Sequence, residues 1–139
     1  MSIEQNKAIV RRFFEAFEAN DETAMKAVLS PDLVAYTHGG PAPQSREAML
    51  QGISLWNAAF GETHFTIEEQ IAEGDLVATR STLHSIHNRG PFQGVPPSDK
   101  QIVVGGISIE CIKDGKIVER RLFSDWMGLM QQLGLVPAP

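Results

Sequence analysis

Apolar side chains recur at helical spacing through the first part of the chain and at every second position through most of the rest. Ile9, Val10, Phe13, Phe14 and Phe17 make one stripe, and Ser2-Ile3-Glu4-Gln5 has the form of a capping box in front of it. Asn20-Asp21 closes this helix and caps a short second one carrying Met25, Val28 and Leu29, which Ser30-Pro31-Asp32 stops. Leu33 to His38 is expected as a short strand, followed by the turn-rich Gly39-Gly40-Pro41-Ala42-Pro43. A third helix is expected from about Ser45 to Phe60, with Met49, Ile53, Trp56 and Phe60 on one face.

After Gly61 the period becomes two. His64 to Glu73 and Leu76 to His87 form a hairpin around Gly74-Asp75, and Ile102 to Ile112 and Lys116 to Phe123 form another around Asp114-Gly115. A Gly/Pro-rich loop, Asn88 to Gln101, joins them. The last helix carries Trp126, Leu129, Met130 and Leu133 on one face, and Gly134 stands where a C-cap glycine belongs. Helices followed by a mostly antiparallel sheet and one closing helix define an α+β fold with its helices on one face.

The turns set the strand faces. A two-residue turn at Gly74-Asp75 places Phe65 opposite His84, Ile67 opposite Thr82, Glu69 opposite Arg80 and Ile71 opposite Ala78, all on one face. That face holds the large apolar groups and is expected to look inward. The small polar set Thr66, Gln70, Thr79, Ser81, Ser85 and His87 is expected to look outward. In the second hairpin Ile107, Ile109, Cys111, Val118 and Leu122 share the apolar face with Arg120, while Ser108, Glu110, Glu119, Arg121 and Asp125 lie opposite. A one-residue slip would reverse all of these assignments.

Composition narrows the function. The 139 residues fit one domain, residues 1–139, and 42% hydrophobic content excludes a disordered chain. A net charge of -5 argues against nucleic acid as a partner, since phosphate binding needs a basic footprint. Cys111 is the single cysteine, and no Cys/His cluster has metal-site spacing, so neither a disulfide nor a metal is expected. No apolar stretch has the length of a signal core or a bilayer span, and the expected setting is cytoplasmic, with no membrane partner.

The ordered set Glu73-Gly74-Asp75-Leu76-Val77-Ala78-Thr79-Arg80, His87, Gly90-Pro91-Phe92-Gln93-Gly94-Val95-Pro96-Pro97, Asp114-Gly115-Lys116-Ile117-Val118-Glu119, Asp125-Trp126 and Gln132-Leu133-Gly134 resembles the SnoaL-like polyketide cyclase family. Tyr36 and His38, with the turn after them, fit more loosely. The resemblance implies a nuclear transport factor 2-like cone, a curved sheet wrapped by helices around a central apolar cavity, assembled as a homodimer or tetramer. It also implies aldol ring closure without a metal or organic cofactor. In such cyclases the strand after the Asp-Gly turn typically has His-Trp-Asp, with the Asp as general acid/base. Aligned from Glu119, this chain has Arg120-Arg121-Leu122, and leucine transfers no proton.

The expected function is therefore a cofactor-independent cyclase or isomerase acting on a small apolar polyketide-like or aromatic molecule. His84 would shuttle a proton, oriented by Glu69, and Arg120 and Arg80 would stabilise an oxyanion. Asp125 invites a catalytic role, against the alternative of capping the last helix. Glu69 and Arg80 also fit a structural ion pair. Tyr36 and His38 would line the cavity mouth, and Trp56 its wall or the plain core. Loss of the usual Asp keeps open a non-catalytic small-molecule-binding protein, or a scaffold with a filled core.

Overall fold

The computed structural model describes residues 2–139. Its elements are α1 (Ile3–Glu18), α2 (Glu22–Val28), β1 (Leu29–Tyr36), α3 (Arg46–Ala59), β2 (Gly61–Glu73), β3 (Leu76–Ile86), β4 (Gln101–Lys113), β5 (Lys116–Ser124) and α4 (Trp126–Gln132). The caps act as the sequence specifies. Ser2 and Gln5 complete a reciprocal capping box, and Asp21, Ser45 and Asp125 each accept a backbone N–H at the start of their helix. Ser30-Pro31-Asp32 does not separate α2 from a later strand. β1 begins directly at Leu29, and Pro31 is accommodated on this sheet-edge strand.

The five strands form one open mixed sheet, ordered β1-β5-β4-β3-β2, with β1 parallel to β5 and the other pairs antiparallel. α1 lies across the sheet and buries Val10 and Phe13 completely against Val77 and Ile117. Burying a side chain such as Phe13 stabilises the fold by roughly 2–3 kcal/mol. A second cluster, Trp56, Phe60, Ile102, Leu129 and Leu133, joins α3 and α4 to β4. Among the described residues no helix is long and apolar enough to cross a membrane.

Both hairpins contain a one-residue bulge near the turn, and β2 has a second register shift between Gly61 and His64. β2 pairs with β3 as the turn requires up to Glu69↔Arg80, but then Ile67 meets Ser81, leaving Glu68 extra. β5 pairs with β4 as Ile112↔Ile117, but then Cys111 meets Glu119, leaving Val118 extra. Each extra residue reverses parity beyond it.

The inner face differs from the expected one. Val77, Thr79, Ser85 and His87 are buried, whereas Ile71, Glu69, Arg80 and His84 lie on the exposed outer face. Phe65 and Ile67 turn inward only because they lie beyond the Glu68 bulge. On β4 the buried residues are Ile102, Val104, Ser108, Glu110 and Ile112, while Ile107 and Ile109 face out. Alternation predicts Ala78, Arg80, Thr82 and His84 of β3 and Ile107 and Ile109 of β4 as inward; helix packing instead buries the opposite face, which bears Thr79, Ser85 and Ser108.

Candidate active site

A pocket of about 430 Å³ opens between the inner sheet face and the helices. Phe14, Phe17, Trp56, Phe65 and Phe92 supply most of its aromatic wall, and His38, Arg120 and Ser124 are among its polar groups. This is the size and make-up of a small-molecule site, apolar with a few placed polar atoms. Trp56 stacks on Phe60 at 4.0 Å, and Trp126 also lines the pocket.

Arg120 reaches the pocket because the Val118 bulge turns it inward. It is 6% exposed, and its Nε donates to Oε2 of the fully buried Glu110 at 2.9 Å. The Ser108 hydroxyl donates to the other Glu110 oxygen at 3.1 Å. Burial pushes the Glu110 carboxyl above its ordinary value, opposed by the Arg120 charge and by the hydrogen bonds from Ser108 and Arg120. The guanidinium carbon also lies 4.9 Å from the centre of the Phe13 ring, a cation–π contact. Among the described residues neither Nη atom has a hydrogen-bond partner, and neither is sealed away from accessible space. The pair therefore holds a cation rigidly in the pocket wall with unspent donors.

His38 stands at the pocket mouth, exposed on one side and tilted against Trp126 at 4.2 Å. Its backbone is left-handed, with φ +53°, an arrangement that costs a non-glycine residue energy and persists where the surroundings enforce it. Nδ1 lies 2.9 Å from the Ser124 hydroxyl, and among the described residues Nε2 has no hydrogen-bond partner. Partial burial, then the charge of Arg120, holds the imidazole below its ordinary value of 6.5. A neutral imidazole at pH 7 is a competent proton acceptor.

Three expected site residues thus meet at one pocket: Arg120, His38 and Trp56. The others do not. His84 is on the outer face opposite His64, turned there by the parity of β3. Glu69 and Arg80 form an exposed outer ion pair at 2.7 Å, a structural role. Asp125 accepts the Gly128 N–H at 2.9 Å as the cap of α4. Tyr36 turns away from the pocket, and its ring carries the Arg121 guanidinium at 4.1 Å. Leu122 does line the wall, so the position where the family pattern has its Asp is inside the pocket and apolar.

Glu110, Ser124, Trp126 and Phe92 were not picked out from the sequence. A partner for Arg120 was required by its apolar neighbours, yet an unbulged hairpin puts Glu119 opposite Glu110 and sends that carboxylate outward. Among the described residues no group of three metal-binding side chains is assembled.

No curated protein matches the chain. Among solved structures, IdmH of Streptomyces antibioticus, a proposed polyketide cyclase, is 30% identical over 94% of this chain and 99% of its own, with a TM-score of 0.83. AclR of Streptomyces galilaeus, a proposed hydroxylase, is 26% identical over 99% of this chain and 86% of its own, with a TM-score of 0.90. TsrD of Streptomyces laurentii is 26% identical over 98% of this chain and 99% of its own, with a TM-score of 0.85. The family model described as SnoaL-like polyketide cyclase matches residues 7–133, nearly the whole fold and every side chain of the pocket, and the chain belongs to that family.

Proposed function

We propose that the protein catalyses a cyclase- or isomerase-type reaction on a small, largely apolar ketone of polyketide-like or aromatic kind, using only its own side chains. The observation that carries this reading is a fixed cation and a neutral imidazole facing the same apolar pocket. His38 Nε2 would take a proton from the carbon beside a carbonyl. The electron pair passes to the carbonyl oxygen, which accepts hydrogen bonds from the free Nη groups of Arg120. The enolate carbon then attacks a second carbonyl and closes a ring, or is reprotonated elsewhere, and His38 returns the proton. Glu110 acts through Arg120, as a positioning residue.

Both tryptophans of the chain, Trp56 and Trp126, line the pocket, so their emission reports its occupancy. Titration with 2-naphthol, whose anion resembles an enolate, is expected to quench that emission saturably. The bound naphthol is expected to ionise at lower pH than free naphthol. That shift should vanish in the double variant Glu110→Leu/Arg120→Met. Binding with no shift in acidity would favour the alternative that Leu122 supports, a non-catalytic binding protein. No saturable quenching would leave a scaffold.

The outer sheet face supports a homodimer as part of this reading, since Ile107, Ile109 and Phe123 are exposed side by side on β4 and β5. A contiguous apolar patch of this kind marks an interface. Sedimentation is expected to show a dimer for the native chain and a monomer for Ile107→Glu/Phe123→Arg. A native monomer would refute this assembly.

A further inference from the structure

Residues 88–100 connect β3 to β4 and cross the pocket, with Phe92 and Gln93 in its lining. The segment contains one tight turn, Phe92 to Val95, with Gln93 and Gly94 both at positive φ. Its ends are gathered on one residue. His87 is fully buried, its Nε2 lies 2.8 Å from the Gly90 carbonyl, and its Nδ1 lies 3.1 Å from the Ser98 hydroxyl. A carbonyl only accepts, so Nε2 carries the proton and Nδ1 accepts from Ser98. The His87 backbone adds three bonds: its N–H donates to Lys100, and its carbonyl accepts from Ser98 and Asp99.

The imidazole ring lies 5.0 Å from Phe60, which in turn meets Phe92 at 5.1 Å and stacks on Trp56. Gly90 is fitted closely over α3, where an added Cβ would meet the Ala58 carbonyl oxygen at 2.8 Å. One buried ring thus ties the entry and exit of the segment together and is continuous with the aromatic wall. We propose that His87 is a positioning residue that holds residues 88–100 closed as a strap, and so sets how fast a ligand enters and leaves the pocket. The kinetic part of this rests on the proposed ligand pocket, whereas the strap itself does not.

The strap is bracketed by tryptic sites at Arg89 and Lys100, which allows it to be tested without any ligand. His87→Phe keeps an aromatic ring against Phe60 and removes both side-chain bonds; Ser98→Ala removes one. Cleavage after Arg89 and Lys100 is expected to accelerate roughly tenfold in His87→Phe and less in Ser98→Ala, without faster cleavage after Arg11 or Lys26. Stopped-flow mixing with 2-naphthol is expected to show association and dissociation rates raised together by roughly tenfold, so that Kd changes little. A purely structural role would instead alter cleavage everywhere, or Kd without the paired rates.

Unchanged cleavage at the two bracketing bonds in both variants would overturn the strap. Faster cleavage with unchanged naphthol rates would overturn its control of access. If His87→Phe is cleaved throughout the chain, Ser98→Ala decides by the same criteria. If the native chain binds no naphthol, the pocket reading fails, while proteolysis still decides whether His87 holds the strap.

Discussion

Arg120→Met is expected to lower stability at neutral pH by about 3–5 kcal/mol, because it leaves the buried Glu110 carboxyl without its counter-charge. That is a large share of the roughly 5–15 kcal/mol that holds a domain together. The double variant Glu110→Leu/Arg120→Met, which fills the space with apolar atoms, is expected to recover most or all of the loss. Urea unfolding of native, single and double variants checks both statements. A single-variant loss below about 1 kcal/mol would mean that water reaches the pair.

The pH dependence has a definite sign. Without Arg120, burial is opposed only by the Ser108 hydrogen bond and holds the folded-state pKa of Glu110 above the unfolded value. A raised carboxyl favours folding while it is protonated, and that contribution is lost as pH rises through the folded value. Arg120→Met should therefore lie closest to native stability near pH 4, and fall furthest behind at neutral pH.

His38→Gln is expected to slow proton abstraction in the pocket by about 100- to 10,000-fold, the range for removing a general base, with little change in Tm. The elimination of 5-nitrobenzisoxazole, opened by removal of a carbon-bound proton, supplies a readout before any natural substrate is known. For the native chain the acidic limb of this rate should fall below pH 6.5. Partial burial first, and the Arg120 charge second, disfavour the imidazolium. Removing that charge in Glu110→Leu/Arg120→Met should move the limb upward. His84→Ala should change neither rate nor limb, since His84 is outside the pocket. A rate insensitive to His38→Gln would remove it as the base.

The helices were legible because each carries its own start signal. Ser2, Asp21, Ser45 and Asp125 cap their helices, and Phe13 and Met49 mark buried faces. The family was legible too, because its motif residues cluster at turns. The pocket was legible only in part. Arg120 was correctly turned inward, but Glu110 was assigned outward, because a bulge at Val118 has no signature in alternating hydrophobicity. His84 and Arg80 lie outside for another reason: exposed apolar groups such as Ile71, Ile107 and Ile109 make the outer face imitate a core face. His87 was assigned outward by the same parity, against its match to the family pattern; the structure places it inside, fully buried.

The two extra residues also govern where strand length can vary. Removing Glu68 would leave Glu69 opposite Arg80 and Ile67 opposite Ser81, so every neighbouring side chain keeps its face. Removing Thr66 or Gln70 would instead send inner residues to the outside. Val118 holds the equivalent position in β5. Glu68 and Val118 are thus points at which these strands tolerate a deletion. A bulge also bends its strand, so a chain one residue shorter there keeps its fold with a flatter sheet and a shallower pocket.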